Sequence, residues 1–197
     1  MKNIKDCLSL FVIIGFLTFA IASSDDATTT TESETTESVS DTKIEKSFWE
    51  YDSFVDEFGD ATNEGFLYNS EVINGSFSNS ATDDSKLYVN FLISDDGSIA
   101  IQLHEYRNPN LVKAYSKDYY SVKIKDEDGE IHSLSAFMRK NSDRIEFKNN
   151  KKLHNLLLTG KSLTFSIKEK DSLTSYKFKL ENHGDEYSRQ FDGDKIK

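Results

Sequence analysis

The sequence predicts a mainly β protein, an antiparallel β-sandwich of about seven to eight strands with one short helix between late strands. Apolar side chains recur at every second position in several short stretches, the pattern of a strand with one buried face. Those stretches are separated by turns rich in Gly, Asp and Asn. Only one stretch carries a clear helical spacing, and nothing alternates strand with helix, which argues against a parallel α/β sheet.

In chain order, strands are expected first at residues 48–54 and 67–77. Leu87, Val89, Phe91 and Ile93 alternate with polar residues, and Ile99, Ile101 and Leu103 repeat the pattern after Asp95-Asp96-Gly97-Ser98. These two runs form a strand pair around a Gly-containing turn. A second hairpin joins YYSVKIK (119–125) through Asp126-Glu127-Asp128-Gly129 to EIHSLSAF (130–137). Tyr120, Val122 and Ile124 face one side, with Ile131, Leu134 and Phe137 expected opposite them. Asn149-Asn150 supplies an N-cap for KKLHNLLLT, where Leu153, Leu156 and Leu157 make an apolar stripe that ends at Gly160. Leu163, Phe165 and Ile167, then Tyr176, Phe178 and Leu180, give two more strands, and a helical turn near 185–191 closes the domain.

The first 46 residues are not expected to belong to that fold. Residues 1–22 carry Lys2 and Lys5 ahead of an apolar run from Leu8 to Ala22. The run is shorter than the roughly 20 residues of a membrane span. It matches a secretory signal, with cleavage expected between Ala22 and Ser23, or an N-terminal anchor over residues 8–22 if uncleaved. The following stretch resembles the junction of bacterial surface lipoproteins, with Ser23 and Ser24 where those proteins carry a lipidated cysteine. Residues 23–46 hold 12 Ser or Thr and seven acidic side chains, too few apolar groups to offset chain entropy. They read as a disordered linker to a domain at 47–197. The expected location is therefore secreted, periplasmic or at the cell surface.

Composition narrows the function. The single cysteine, Cys7, falls in the expected signal, so a disulfide framework and a multi-cysteine metal centre are excluded. Nucleophile-elbow, zinc-protease, dinucleotide and P-loop motifs are absent, so no catalytic residue and no cofactor is assigned and the chain is not expected to be an enzyme. Net charge of −10 argues against nucleic acid as partner. Charge is unevenly spread: residues 47–106 hold 12 acidic side chains and one basic, whereas 107–197 hold 14 acidic and 19 basic. Arg139, Lys140, Arg144, Lys148, Lys151 and Lys152 concentrate the basic excess, and two readings follow. Either the region docks an anionic partner, or the two halves neutralise each other within the fold. Asp56, Asp60, Asn63 and Glu64 offer a weak set of oxygen ligands for calcium.

Trp49-Glu50-Tyr51-Asp52 with its acidic loop, KLYVNFLI, SIAIQL, YYSVKIKDEDG, KLHNLLLTGKSL leading into TFSI, and SYKFKL occur in an order that resembles small exported bacterial β-sandwich proteins, including the type VI secretion-associated TagO-like proteins. The resemblance spans residues 49–191 and implies an exported accessory or binding domain. It carries over no site residue. The expected function is a tethered binding or accessory module at the cell envelope, its partner a protein or envelope component. The alternatives are a secreted hydrolase whose site forms only on folding, and an inhibitory or structural subunit of a secretion or phage-related assembly.

Overall fold

A computed structural model describes residues 47–106, 110–181 and 183–190. The signal, anchor and linker expectations for residues 1–46 lie outside them. Ten strands and two helices run in the order β1 (Trp49–Val55), β2 (Ala61–Asn69), β3 (Ile73–Ser78), β4 (Ser85–Ser94), β5 (Ile99–Glu105), β6 (Asp118–Lys125), β7 (Ile131–Met138), β8 (Ile145–Phe147), α1 (Asn150–Leu158), β9 (Leu163–Glu169), β10 (Ser175–Leu180) and α2 (Gly184–Gln190). The mainly β class and the helix between late strands are as expected. The strand count and the layering are not.

All pairings are antiparallel, and the order β4-β3-β10-β9-β6-β7-β8-β5 returns to β4 through the β4–β5 ladder. The sheet therefore closes as an eight-stranded barrel, with β1 and β2 as an added hairpin, instead of stacking as the expected sandwich. Closure depends on the three-residue β8, whose Ile145 pairs with both Ile101 of β5 and Met138 of β7. The alternating pattern is the same for either architecture, because each needs only one buried face per strand.

About eight strands enclose a space that side chains can fill. Here Phe91 lies at its centre, with ring centroids 5.7 Å from Phe165, 6.1 Å from Phe178 and 6.0 Å from Trp49. Phe165 and Phe178 stack at 4.6 Å across the β9–β10 ladder. The inward set on β7 is Leu134, Ala136 and Met138, not the expected Ile131, Leu134 and Phe137. Register fixes this: Val122 pairs with Leu134 and Tyr120 with Ala136, so odd-numbered β7 residues face outward and Ile131 is exposed at the strand's end.

The expected strand at 67–77 is two strands. β2 pairs with the end of β4 (Tyr68↔Leu92) and β3 with its beginning (Ile73↔Val89), so between them the edge of β4 opposite β5 is left without a strand partner. The buried side chain of Asn69 fills that gap. Its Oδ1 accepts the Phe91 N–H at 2.5 Å, and its Nδ2 donates to the carbonyls of Glu71 (2.8 Å) and Val89 (3.3 Å).

α1 forms as its sequence dictates. The Asn149 side chain accepts the Lys152 N–H at 3.0 Å, Leu153, Leu156 and Leu157 are buried, and Gly160 at φ +69° ends the helix. α2 ties down the residues that lead into β1. Glu186 Oε2 accepts the N–H groups of Phe48 (2.8 Å) and Trp49 (3.4 Å), the Phe48 ring stacks on His183 at 3.7 Å, and the Tyr187 hydroxyl meets His154 Nδ1 of α1 at 2.6 Å. The two helices touch through glycines. A Cβ on Gly184 would stand 2.2 Å from the Gly160 Cα.

Candidate functional site

Asp56 and Asp60 bracket the β1–β2 turn, and the Asp56 carboxylate is engaged there by the N–H groups of Phe58 (2.8 Å) and Asp60 (3.0 Å). Asn63 and Glu64 are consecutive on β2, so their side chains leave opposite faces. The four oxygen ligands are not gathered around one point.

A different trio does converge. Asp126, Glu130 and His132, at the β6–β7 turn, bring one ligand atom each within 4.8 Å of one another. His132 Nε2 lies 3.1 Å from Asp126 Oδ2 and its Nδ1 lies 3.8 Å from Glu130 Oε1. The hydrogen bond from His132 holds the Asp126 carboxyl below the usual carboxylate range. Asp126 and His132 could present oxygen and nitrogen to a divalent cation, but both imidazole nitrogens already face carboxylates. The sequence showed this segment as a turn because the third member, His132, stands on the returning strand.

The remaining histidines occupy packed positions. His104 Nε2 lies 3.3 Å from Asn90 Nδ2, and burial pushes His104 below the ordinary histidine value. Burial also lowers His154, beside Tyr187. Among the described residues, no hydrogen bond joins a histidine to a serine hydroxyl.

The six basic residues singled out in the sequence separate into groups. Arg139 and Lys140 follow β7, Arg144 precedes β8, Lys148 follows it, and Lys151 and Lys152 lie in the first turn of α1. Arg139 is paired with Glu146 at 2.7 Å, and Arg144 lies 3.9 Å from Asp143. Lys148 instead reaches the Tyr119 ring at 5.3 Å, where Lys117 lies 5.4 Å from the same ring and 5.2 Å from Phe137. Tyr119 and Phe137 are register partners on the outer face of β6 and β7.

That outer face holds the main cationic feature. Following the register across neighbouring strands, Lys86 of β4 pairs with Ser76 of β3, Ser76 with Lys177 of β10, Lys177 with Ser166 of β9, Ser166 with Lys123 of β6, and Lys123 with Ser133 of β7. Lysine and serine thus alternate across six strands. Strands lie about 4.8 Å apart, so lysines recur roughly every 10 Å around the barrel. The adjoining rows add Lys125 beside Thr164, and Lys168 beside Ser121. Among the described residues, Lys123, Lys125, Lys168 and Lys177 form no ion pair. The hydroxyls of Ser121, Ser133, Thr164 and Ser166 likewise have no hydrogen-bond partner on the protein.

The row is not apparent along the chain, because its lysines come from strands far apart in sequence. Each strand does carry the signal locally, as in YKFKL and SVKIK, where lysines take the outward positions. Their alignment is a property of register. The β1–β2 hairpin carries Glu50, Asp52, Asp56, Glu57, Asp60 and Glu64 with no lysine or arginine, whereas Asp84 meets the row itself, accepting from Ser76 Oγ at 3.2 Å. Tyr68 donates to Glu50 at 2.8 Å and Tyr51 to Asp95 at 2.9 Å; those hydrogen bonds push Tyr68 up to about 12 and raise Tyr51. Among the described residues no helix is long and apolar enough to cross a membrane. Comparison of the chain with protein-family models, with curated proteins and with solved structures finds no match.

Proposed function

We propose that the chain is an exported binding module that engages an anionic partner through the outer wall formed by β10, β9, β6 and β7. The observation that carries this reading is the register-aligned row of lysines, whose ammonium groups have no carboxylate partner among the described residues. An unpaired cation on a solvated wall gains little from its own fold, whereas several in one field raise the local concentration of an anionic partner. The expected secretory signal and linker would present this wall at the envelope, outside the cytoplasm.

Retention on an immobilised polyanion tests the reading directly. A protein of net charge −10 has no overall attraction to such a matrix at pH 7, so retention at low salt reports a local patch. Reversing Lys123 and Lys177 to Glu should abolish retention, while reversing Lys151 and Lys152 on α1 should leave most of it. Flow-through of the unaltered protein at low salt would overturn the proposal.

A further inference from the structure

We propose that the partner is a linear anionic polysaccharide whose charges are widely spaced along the polymer, an inference that rests on the reading of the wall as a polyanion site. Three features of the wall select this chemistry. The first is spacing. Lysines stand on alternate strands, at roughly 10 Å intervals, whereas each strand of a DNA duplex carries a phosphate about every 3.4 Å of helix axis. A polymer bearing one carboxylate or sulfate on every second sugar ring presents anions on the scale of the lysines.

The second feature is what lies between the lysines. Ser133 and Ser166 flank Lys123 in its row, and Ser121 and Thr164 occupy the adjoining rows, their hydroxyls without a hydrogen-bond partner among the described residues. A hydroxyl both donates and accepts, which suits the hydroxyl groups of a sugar; a phosphate offers only acceptors. The third is shape. The wall is the convex side of a closed barrel, and the centre of its outward face is lysine, serine and threonine. A linear polymer can follow that curve across the strands. A bilayer would meet it along a narrow line, with no apolar group at the wall's centre to enter the lipid. At the rim, Lys117 and Lys148 lie over the Tyr119 and Phe137 rings and extend the cationic face.

The experiment titrates the full chain at matched low salt with four probes. These are hyaluronan oligosaccharides (a carboxylate on every second ring), uncharged dextran, a single-stranded oligodeoxynucleotide and phosphatidylserine vesicles. Hyaluronan is expected to bind, dextran not to bind, and the oligonucleotide and vesicles to bind at least roughly tenfold more weakly. Lys123→Glu with Lys177→Glu should lower hyaluronan affinity by at least roughly tenfold. Ser133→Ala with Ser166→Ala should lower it roughly fivefold and leave oligonucleotide affinity unchanged. All four positions are on the solvent side of their strands, and an unchanged melting midpoint verifies that the variants fold. Oligonucleotide or vesicle binding as tight as that of hyaluronan overturns the polysaccharide class and leaves the polyanion reading standing. No binding to any charged probe, or hyaluronan binding indifferent to the lysine reversals, overturns both.

Discussion

Replacing Asn69 should cost far more than its polarity suggests, because this side chain stands in for a missing piece of strand. β4 changes partner from β2 to β3 over Val89–Leu92, and the Asn69 amide engages the Phe91 N–H and the Val89 carbonyl that neither strand reaches. In Asn69→Leu the volume is nearly kept, so packing loss is small and the hydrogen bonds are isolated as the variable. Leaving a buried backbone donor or acceptor unsatisfied costs about 1–3 kcal/mol each. Two such groups, partly relieved by local adjustment, give about 2–5 kcal/mol. For a domain near 150 residues this lowers the melting midpoint by about 5–15 °C. Asn79→Ala is the matched control. Asn79 also accepts backbone N–H groups, from Ala81 at 2.8 Å and Thr82 at 3.1 Å, but in a solvated turn where water replaces it. Its cost should stay below about 1 kcal/mol. Urea denaturation of both variants decides the matter. A loss under about 0.5 kcal/mol for Asn69→Leu, or equal losses for the two, would refute the role assigned to Asn69.

Gly184→Ala places a methyl group 2.2 Å from the Gly160 backbone, so α2 must withdraw from α1; a lowered midpoint with increased proteolysis after residue 181 is expected, and an unchanged midpoint would refute the glycine contact. Phe91→Ala removes the ring at the barrel's centre and should cost about 3–5 kcal/mol in denaturant unfolding. Tyr187→Phe deletes the hydroxyl that meets His154 and should cost about 1–2 kcal/mol, read in the same assay. Burial lowers both His104 and His154, so the unfolded chain binds their protons first as pH falls. Their stabilisation is complete above about pH 6.5 and declines below it, so the midpoint should fall between pH 7 and 5. The double variant His104→Asn, His154→Asn should flatten that slope.

What could be read from the sequence was whatever is decided within one element. α1 is such a case, since its cap, stripe and terminating glycine are all local choices that agree. The paired faces of β4, β5, β6, β9 and β10 were legible for the same reason. β7 was misassigned at Ile131 and Phe137 because Ala136 and Met138 are weaker apolar markers, and only the pairing with β6 identifies them as inward. The break between β2 and β3 has no glycine or proline to announce it, and its compensation is one asparagine side chain reaching across to β4. Barrel closure was illegible because a three-residue strand is too short to show a period.

The charge segregation was visible along the chain, but its meaning depended on whether the two halves neutralise each other when folded. Among the described residues no ion pair joins them. Every ion pair among the described residues, from His132–Asp126 to Lys179–Glu181, lies within residues 126–181. The acidic β1–β2 hairpin joins the barrel through β4, and its Tyr68 and Tyr51 donate to Glu50 and Asp95. The lysines of β6, β9 and β10 lie further along the sheet, separated from that hairpin by β4 and β3. Salt screens surface charges over about 8 Å at physiological strength, a span of fewer than two strand spacings. The two fields therefore act independently at the surface, and the lysine wall keeps its positive potential although the chain as a whole is acidic. An acidic isoelectric point excludes a cationic protein, not a cationic face, and strand register decides whether such a face exists.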